Sequence, residues 1–439
     1  MQLRHLKHEK DSSSSIDRES VHDLPLAISE HEVSFSHGVE REAQGSSYLA
    51  YFNVVCVVAG TGALGLPYAL RQGGWIGILI IALSWLFSTY SGVILIRCLY
   101  YNGHTRLSSY QEVAEAAFGK IGGWIAFFFT AITLIGVPVL YLLLAGQNLH
   151  TVLIGTSAEL TFPIWVIICA AAVAVPFVFF KSMKEVGFLS AFGMLATVIV
   201  VLIVVVTAAR DRPNVVNVHH DPVIWDQFPI ALSSIAFSFG GNPVYAHVEA
   251  GMRQPKQWGR VVAAGLTTCV GLYFLTAIPG YFVYGDQALS PIYNNLPQGP
   301  EKTASAIIIT AHVLLACPIL ITSFALDLEK LCGISSFHHS RVVESLLRFA
   351  LRSCMIVVIT VIAIYVPFFG DFMSLLGAFS NCALILIFPV MFYFKLTGLR
   401  NKSWYELILG FFTVLLGIVG LIFGTISAVK ALKDDFSQQ

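Results

Sequence analysis

Glycine and proline interrupt two apolar segments of the chain, and these interruptions could place main-chain polar groups at membrane depth. The first reads AGTGALGLP over residues 59–67, and the second reads FSFGGNP over residues 237–243. A break within lipid survives only where it is buried in protein or lines a polar cavity. A freed helix N-terminus attracts a carboxylate, and freed carbonyl groups attract an ammonium group. The two interruptions therefore indicate a site for an α-amino acid zwitterion.

Five residues at the interruptions are the first candidates for ligand contact. Glycine lets a ligand approach the backbone closely, and this applies to Gly60 and Gly62 in the first segment. Thr61 adds a hydroxyl between them. Gly240 and Gly241 occupy the corresponding place in the second segment. Small residues also serve helix packing in membranes, so it is the pairing of the two interruptions that favours a binding site.

The composition predicts the elements that would position these residues. Of 439 residues, 56% are hydrophobic and 12% are charged, whereas a soluble domain carries about 25% charged residues. A membrane-spanning helix needs about 20 apolar residues. The predicted fold class is therefore an all-α multi-pass membrane protein with eleven spans, at about 48–70, 74–97, 123–147, 162–180, 187–208, 228–248, 261–284, 304–326, 353–369, 372–394 and 404–429.

The eleven segments divide into two halves and one addition. Segments 1–5 and 6–10 each open with an interrupted segment, and segment 11 follows them. Halves with an odd number of spans insert with opposite orientations, which predicts a 5+5 inverted-topology repeat.

The basic residues predict the orientation. With a cytosolic N-terminus, most of the 26 Lys and Arg residues fall in the tail and the cytosolic loops, as the positive-inside rule requires. Asn401 of the single glycosylation sequon then faces the cytosol and is expected to carry no sugar.

The expected domains are a disordered cytosolic tail over 1–47, a transmembrane domain over 48–430 and a short C-terminal tail over 431–439. No cleaved signal peptide is expected in the polar first residues.

Ionisable groups are scarce inside the predicted spans, and His312 in segment 8 is the clearest one. An ionisable residue at membrane depth is a functional candidate by default. His312 could couple transport to protons, or it could be a neutral structural group. Thr322 and Ser323 lie further along the same segment, where they could coordinate a small cation or bond to a carbonyl one turn earlier.

Further polar residues lie within the spans. Asn53 in segment 1 is a candidate for ion coupling, and Tyr141 in segment 3 is a candidate for lining the substrate pocket. Asn381 in segment 10 is a weaker candidate than either. Each could instead connect helices by hydrogen bonds, which is the commoner use of polar residues in membranes.

Motifs of several other function classes are absent from the sequence. There is no nucleotide-binding GxxxxGK[ST] loop, no GxSxG elbow and no HExxH pair. The eight cysteines are scattered without a CxxC pair, which argues against a zinc site or a disulfide frame. The formal net charge is zero, so nucleic acid is not an expected partner. We expect no enzyme activity, no cofactor and no metal.

The residues around both interruptions resemble a known family. Residues 53–68, NVVCVVAGTGALGLPY, followed by GGW at 73–75, resemble the first-helix signature of the amino acid/auxin permease family. Residues 236–241, AFSFGG, resemble its sixth-helix block together with Glu249, Met252 and Pro255. The similarity is greatest to fungal and plant neutral amino acid permeases, with some similarity to vesicular inhibitory amino acid transporters.

The resemblance implies eleven spans, a fold like that of bacterial leucine transporters, and amino acid transport usually coupled to protons. It implies that Glu249, after the sixth helix, gates the site or pairs with Arg253. The resemblance also implies that the substrate is bound by Gly60, Thr61, Gly62 and Ala63 in the first helix and by Phe239, Gly240 and Gly241 in the sixth.

The predicted function is a proton-coupled secondary active amino acid transporter with alternating access. Its expected partners are an amino acid, H+ or Na+, and the lipid membrane. The host membrane would be the plasma membrane or a vacuolar or endosomal membrane. One alternative is an amino acid sensor that signals through the N-terminal tail without net flux. A third alternative is a channel, against which saturable, gradient-dependent uptake would argue. An intramembrane enzyme is least favoured, because no catalytic dyad lies inside the spans.

Overall fold

The computed structural model describes residues 45–103, 105–179, 183–334, 340–400 and 402–437. Within these ranges the protein is helical, and the sole β-type pairing is an isolated bridge between Gly45 and Met252. The predicted tail, apart from residues 45–47, and Asn401 lie outside the described residues. The helices are α1 (Ser47–Ala59), α2 (Thr61–Gly73), α3 (Ile76–Leu99), α4 (Tyr110–Leu153), α5 (Phe162–Phe179), α6 (Met183–Asp211), α7 (Phe228–Ser238), α8 (Asn242–Ala250), α9 (Trp258–Tyr284), α10 (Pro300–Leu331), α11 (Arg341–Tyr365), α12 (Phe369–Leu376), α13 (Phe388–Thr397), α14 (Trp404–Val419) and α15 (Thr425–Ser437).

Short helical pieces complete the chain. Single 3-10 turns cover Pro255–Gln257, Gly285–Gln287 and Ile292–Asn295. Two π-helical stretches, Gly377–Ile387 and Gly420–Gly424, join α12 to α13 and α14 to α15. Such widened turns are rare and often occur at functional sites.

All eleven predicted segments coincide with helical stretches. Within the described ranges, nine stretches are long and apolar enough to cross a membrane, and Phe162–Val178 is a shorter apolar helix. The remaining segment is the α7–α8 pair, whose two halves are each too short to span alone. The protein is an integral multi-pass membrane protein.

The helix ends differ from the hydropathy boundaries where a helix continues in polar sequence. Helix α4 begins at Tyr110 rather than near 123, and it bends at Gly119, whose φ is 72°. Helix α11 begins at Arg341 rather than near 353, and α15 ends at Ser437, so most of the predicted C-terminal tail is helical. Hydropathy detects apolar residues, whereas a helix continues as long as capping and packing allow.

Both predicted interruptions separate pairs of helices. Between α1 and α2, Gly60 has φ −55° and ψ −122°, which is not a helical conformation. Between α7 and α8, residues 239–241 form no helix. Pro243 follows in the first turn of α8, where its missing N–H removes no helical hydrogen bond.

The interrupted helices lie at the centre of the bundle. Helix α1 packs against α6 and α9, while α2 packs against α7 and α9. Helix α10 packs against α4 and α6 beside them. Helices α11 and α14 present most of their apolar side chains outward, as expected for helices that face lipid. The two interruptions are thus enclosed by protein.

Candidate functional site

A small cavity lies between the two interruptions. Thr61 and Gly62 line it from α2, Gly240 lines it from the second interruption, and Tyr141 lines it from α4. Its volume is about 10 Å³, which is about the room that one water molecule needs. The other lining residues are Val57, Val58, Val137, Phe237, Leu320 and Asn381.

Four helix ends meet around this cavity. The N-termini of α2 and α8 lie close to the C-termini of α1 and α7, because each interruption ends one helix and begins another. Helix N-termini carry partial positive charge and C-termini partial negative charge. The cavity therefore offers N–H groups for a carboxylate and carbonyl groups for an ammonium group.

The glycines of the first interruption allow close contacts that no other residue would. A Cβ atom at Gly60 would lie 2.6 Å from His312 Nε2 and 3.2 Å from Tyr141 Oη. A Cβ atom at Gly62 would lie 2.7 Å from the Cα atom of Ser238. Gly62 thus lets α2 touch the end of α7, while Gly60 leaves the imidazole and the phenol facing the break.

The second interruption contacts an amide on the π-helical stretch. A Cβ atom at Gly240 would lie 2.5 Å from Asn381 Nδ2. Asn381 Nδ2 donates a long hydrogen bond of 3.4 Å to the Phe237 carbonyl, and Asn381 Oδ1 accepts one of 3.2 Å from Thr133. The amide therefore connects α4 with the end of α7 at the cavity wall.

A tyrosine on α9 joins the two interruptions directly. The Tyr273 hydroxyl bonds to the Val58 carbonyl at 2.7 Å and also to the Ser238 carbonyl. These carbonyls belong to the last turns of α1 and α7, where helical partners are missing. Tyr273 thus links the two helix ends and provides a hydrogen-bond donor for two of the carbonyl groups that the interruptions leave without helical partners.

Some predicted substrate residues lie beside the cavity and others lie behind it. Phe239 is fully buried against Tyr273, with ring centroids 5.2 Å apart, and Phe237 lines the cavity in its place. A Cβ atom at Gly241 would meet the Tyr245 ring. Ala63 is buried but does not line the cavity. Only one or two positions in the chain separate residues that face the cavity from those behind it, and hydropathy does not resolve that difference.

The ion-coupling candidates occupy distinct environments. Asn53 accepts a hydrogen bond of 2.6 Å from Ser190 and so links α1 to α6. The buried Thr322 and Ser323 hydroxyls have no hydrogen-bond partner within the described part of the chain. His312 is fully buried, with Nδ1 2.7 Å from the Gly193 carbonyl and no partner for Nε2 among the described residues.

Ion pairs join the helices at the end of the bundle where α3 and α8 end, which we call the inner end and predict to face the cytosol. Glu249 is fully buried and accepts hydrogen bonds from Arg106 at 2.8 Å and from Tyr100 at 2.6 Å. Arg106 also donates to the Ala246 carbonyl at 2.6 Å. The main chain of Arg253, the partner proposed for Glu249, donates to Gly45.

Two further groups of charges connect α10 to its neighbours at the inner end. His247 Nε2 lies 3.2 Å from an Asp327 oxygen. Glu329 binds both Arg348 and the fully buried Arg352 of α11, at 3.0 and 2.8 Å. Together with the Arg106–Glu249 pair, these contacts join α8, α10 and α11 and the loop before α4 at the inner end.

Sequence reasoning missed several residues at the site. Tyr273, Phe237 and Arg106 were not singled out, and Asn381 received little weight. A polar or aromatic side chain inside an apolar segment gives no sign of which neighbour it meets. Only Asn381 carried a usable signal, as an amide at the middle of a span.

Comparisons with known proteins agree with this architecture. A family described as "Transmembrane amino acid transporter protein" matches residues 43–431. Amino acid transporter AVT1J of Arabidopsis thaliana is 28% identical, over 88% of this chain and 91% of its own length. The vesicular inhibitory amino acid transporter of Xenopus tropicalis is 28% identical, over 88% of this chain and 77% of its own length. These relatives are named as transporters and not as enzymes, as expected for this chain.

Solved structures support the fold. MhsT in complex with L-phenylalanine matches with a TM-score of 0.54 and 14% identity, covering 88% of this chain and all of its own. The nucleobase-cation-symport-1 transporter Mhp1 matches with a TM-score of 0.56 and 13% identity, covering 89% of this chain and 93% of its own. At such identities the likeness concerns the fold alone, and it confirms the predicted fold class.

Proposed function

The chain belongs to the transmembrane amino acid transporter family, and we propose that it is a secondary active transporter that moves an α-amino acid together with protons. The observation that carries the proposal is the meeting of two interrupted helices around one small cavity. Paired interruptions of this kind mark the substrate site in transporters built from inverted repeats. Curated relatives such as AVT1J carry amino acid transport in their names.

The helix ends would hold the two charged groups of the substrate. The first N–H groups of α2, at Thr61 and Gly62, would bind the carboxylate, supported by the N-terminus of α8. The carbonyl ends of α1 and α7 would bind the ammonium group. Tyr141 and Phe237 face the same cavity and would shape the pocket for the substrate side chain.

Substrate binding would need a wider cavity than the structure shows. A volume of about 10 Å³ holds no amino acid, and small-molecule pockets usually provide roughly 300–1,000 Å³. The interruptions supply the places where α1 and α7–α8 can tilt relative to α10. The charged contacts of Glu249 and Asp327 would open when these helices move, which gives the inner end the role of a gate.

The coupling ion would bind between α10 and its neighbours. The unpaired hydroxyls of Thr322 and Ser323 suit a small cation, because hard cations prefer oxygen ligands. His312 suits a proton, because imidazole is the side chain that titrates nearest to neutral pH. Protons are proposed over sodium on the strength of the family resemblance and the unpaired imidazole nitrogen.

Transport by purified protein in liposomes tests this proposal. Amino acids would be offered one at a time under a pH gradient or a sodium gradient, and accumulation would identify both the substrate and the ion. Gly62→Leu should abolish uptake because a side chain there separates α2 from Ser238. Gly271→Leu is the matched control, since Gly271 on α9 has open space at its Cβ position. Equal loss in both variants, or none in either, would remove the proposed site.

A further inference from the structure

The hydrogen bonds of His312 fix which ring nitrogen can accept a proton. Nδ1 lies 2.7 Å from the Gly193 carbonyl and 3.1 Å from Thr197 Oγ1, both on α6. A carbonyl oxygen only accepts, so Nδ1 carries the hydrogen in the neutral ring. The lone pair is therefore on Nε2, which is buried and has no hydrogen-bond partner among the described residues.

This lone pair faces the first interruption. The position of a Cβ atom at Gly60 lies 2.6 Å from Nε2 and 3.2 Å from Tyr141 Oη. Any other residue at position 60 would cover the nitrogen. Helix α2 begins at Thr61, immediately after this position. The imidazole nitrogen and the N-terminus of α2 are thus directed at the same small region, where the substrate carboxylate is proposed to bind.

Among the groups that surround the His312 ring, the imidazole itself is the one that can change charge beside the first interruption. Two titratable groups of other helices lie beside the ring: the Cys56 thiol of α1, close to the Gly193 position, and the Tyr141 phenol of α4. His312 takes part in none of the ion pairs found within the described ranges. Cys317 lies on α10 itself, and Glu301 and Lys302 lie at the first turn of α10, away from the inner end. Within the described ranges, the ion-paired groups on the helices packed there are at the inner end, namely Glu112, His247, Glu249, Asp327, Glu329, Lys330, Glu344, Arg348 and Arg352.

We propose that Nε2 of His312 binds the co-transported proton and that the resulting N–H pairs with the substrate carboxylate at the start of α2. This inference rests on the proposed function and deepens it. Without the proton, a lone pair would face the carboxylate and repel it. With the proton, a charge-assisted hydrogen bond forms. One proton is taken up from the side where the substrate enters and is released to water on the other side, and no covalent bond changes.

Thermodynamic linkage turns this contact into coupling. If the proton raises the affinity for the amino acid, the amino acid raises the affinity for the proton by the same factor. The affinity for substrate should therefore rise as the pH falls. The carboxylate is essential to this linkage, whereas the substrate side chain is not.

The test compares wild type, His312→Gln and His150→Gln in proteoliposomes. His150 lies at the end of α4, where Nδ1 contacts the Leu160 carbonyl, and it serves as the matched histidine control. Counterflow exchange of labelled substrate reports transport without a driving gradient. A pH-sensitive dye inside the vesicles reports protons that enter with the substrate.

Wild type and His150→Gln should show substrate-evoked acidification and a KM that falls at least tenfold between pH 8 and pH 6. His312→Gln should weaken substrate binding, with a KM at pH 6 at least tenfold above that of wild type and independent of pH, and it should lose at least nine-tenths of the acidification per transported substrate. Retained acidification per transported substrate in His312→Gln would overturn the proposal. An absence of counterflow in wild type with every amino acid would instead refute the proposed function.

A measurement on wild type alone covers the case in which His312→Gln does not fold. Calorimetric titration in two buffers of different ionisation enthalpy counts the protons taken up on binding. We expect close to one proton per bound amino acid, and none with the matching amino alcohol, which lacks the carboxylate. Equal proton uptake with both ligands, or none with the amino acid, would overturn the proposal.

Discussion

Removal of the Arg106 guanidinium should open the inner end of the protein. Arg106→Ala leaves the buried Glu249 carboxylate with the Tyr100 hydroxyl but without the guanidinium at 2.8 Å. Loss of one partner from a buried ion pair costs about 3–5 kcal/mol. This loss destabilises mainly the conformation in which the inner end is closed, because opening would return the Glu249 carboxylate to water.

The expected population shift follows from this energy. At about 1.4 kcal/mol per factor of ten, 3–5 kcal/mol corresponds to roughly 100-fold to 4,000-fold in favour of the open inner end. The His247–Asp327 and Glu329–Arg352 contacts still hold α10 to its neighbours. We therefore expect the measured shift at the low end of this range, and at least tenfold.

Cysteine accessibility measures the shift. Val57 lines the cavity, so a Val57→Cys reporter would react with a charged thiol reagent applied from the inner end only when that end is open. The exposed Cys332 and Cys354 are first replaced by serine. Arg106→Ala should raise the labelling rate at least tenfold. The control His219→Ala removes an exposed ion pair to Asp221, worth at most about 1 kcal/mol, and should leave the rate unchanged.

The double variant Arg106→Ala/Glu249→Ala sharpens the interpretation. Once both charges are gone, no buried carboxylate lacks its guanidinium, so the labelling rate should return part of the way to wild type. If Arg106→Ala labels at the wild-type rate, the ion pair does not hold the inner end closed. If the double variant labels faster than Arg106→Ala, the penalty of a buried charge is not the cause of opening.

Three further outcomes are expected. Tyr273→Phe removes the one hydroxyl hydrogen that the Val58 and Ser238 carbonyls share, at a cost of about 1–3 kcal/mol, and should lower the melting temperature in detergent. Gly377→Ala places a methyl group against the Ser233 carbonyl and should destabilise by about 1–3 kcal/mol, whereas Gly271→Ala should not. Deletion of residues 1–44 should preserve flux in liposomes, while a sensor that acts through its tail would show ligand binding without flux before and after deletion.

The sequence was sufficient for the fold class because the relevant signals are local. About twenty apolar residues indicate a spanning helix, and glycine-rich stretches within them indicate where it is interrupted. The interruptions at Gly60 and at residues 239–241 could therefore be located to within a residue or two. The start of α4 could not, since residues 110–122 carry Gln, Glu and Lys and join the helix without an apolar signal.

The wall of the cavity was only partly predictable because it depends on contacts between distant helices. Gly60, Gly62 and Tyr141 were found by residue type, yet the choice between Phe237 and Phe239 depends on the rotation of α7 against α9. Tyr273 could not be found at all, since nothing in its own segment indicates that its hydroxyl reaches two helix ends. The pairing of Arg106 with Glu249 joins residues 143 positions apart, and no pattern in one sequence reveals such a pair.

The positions of His312 and the inner ion pairs suggest how binding and opening depend on each other. Buried ion pairs join the elements at the inner end, whereas Nε2 of His312 has no hydrogen-bond partner among the described residues. A proton and a substrate carboxylate would together give Nε2 of His312 its missing hydrogen-bond partner. Because the cavity is only about 10 Å³, the substrate would also force the helix ends apart. Helix α1 leads from the first interruption back to the Gly45–Gly251 contact, and α8 leads from the second interruption to Glu249. A displacement of α1 and α8 would therefore strain the inner ion pairs. Neither ligand alone satisfies both the imidazole and the helix ends, so opening should require the two together.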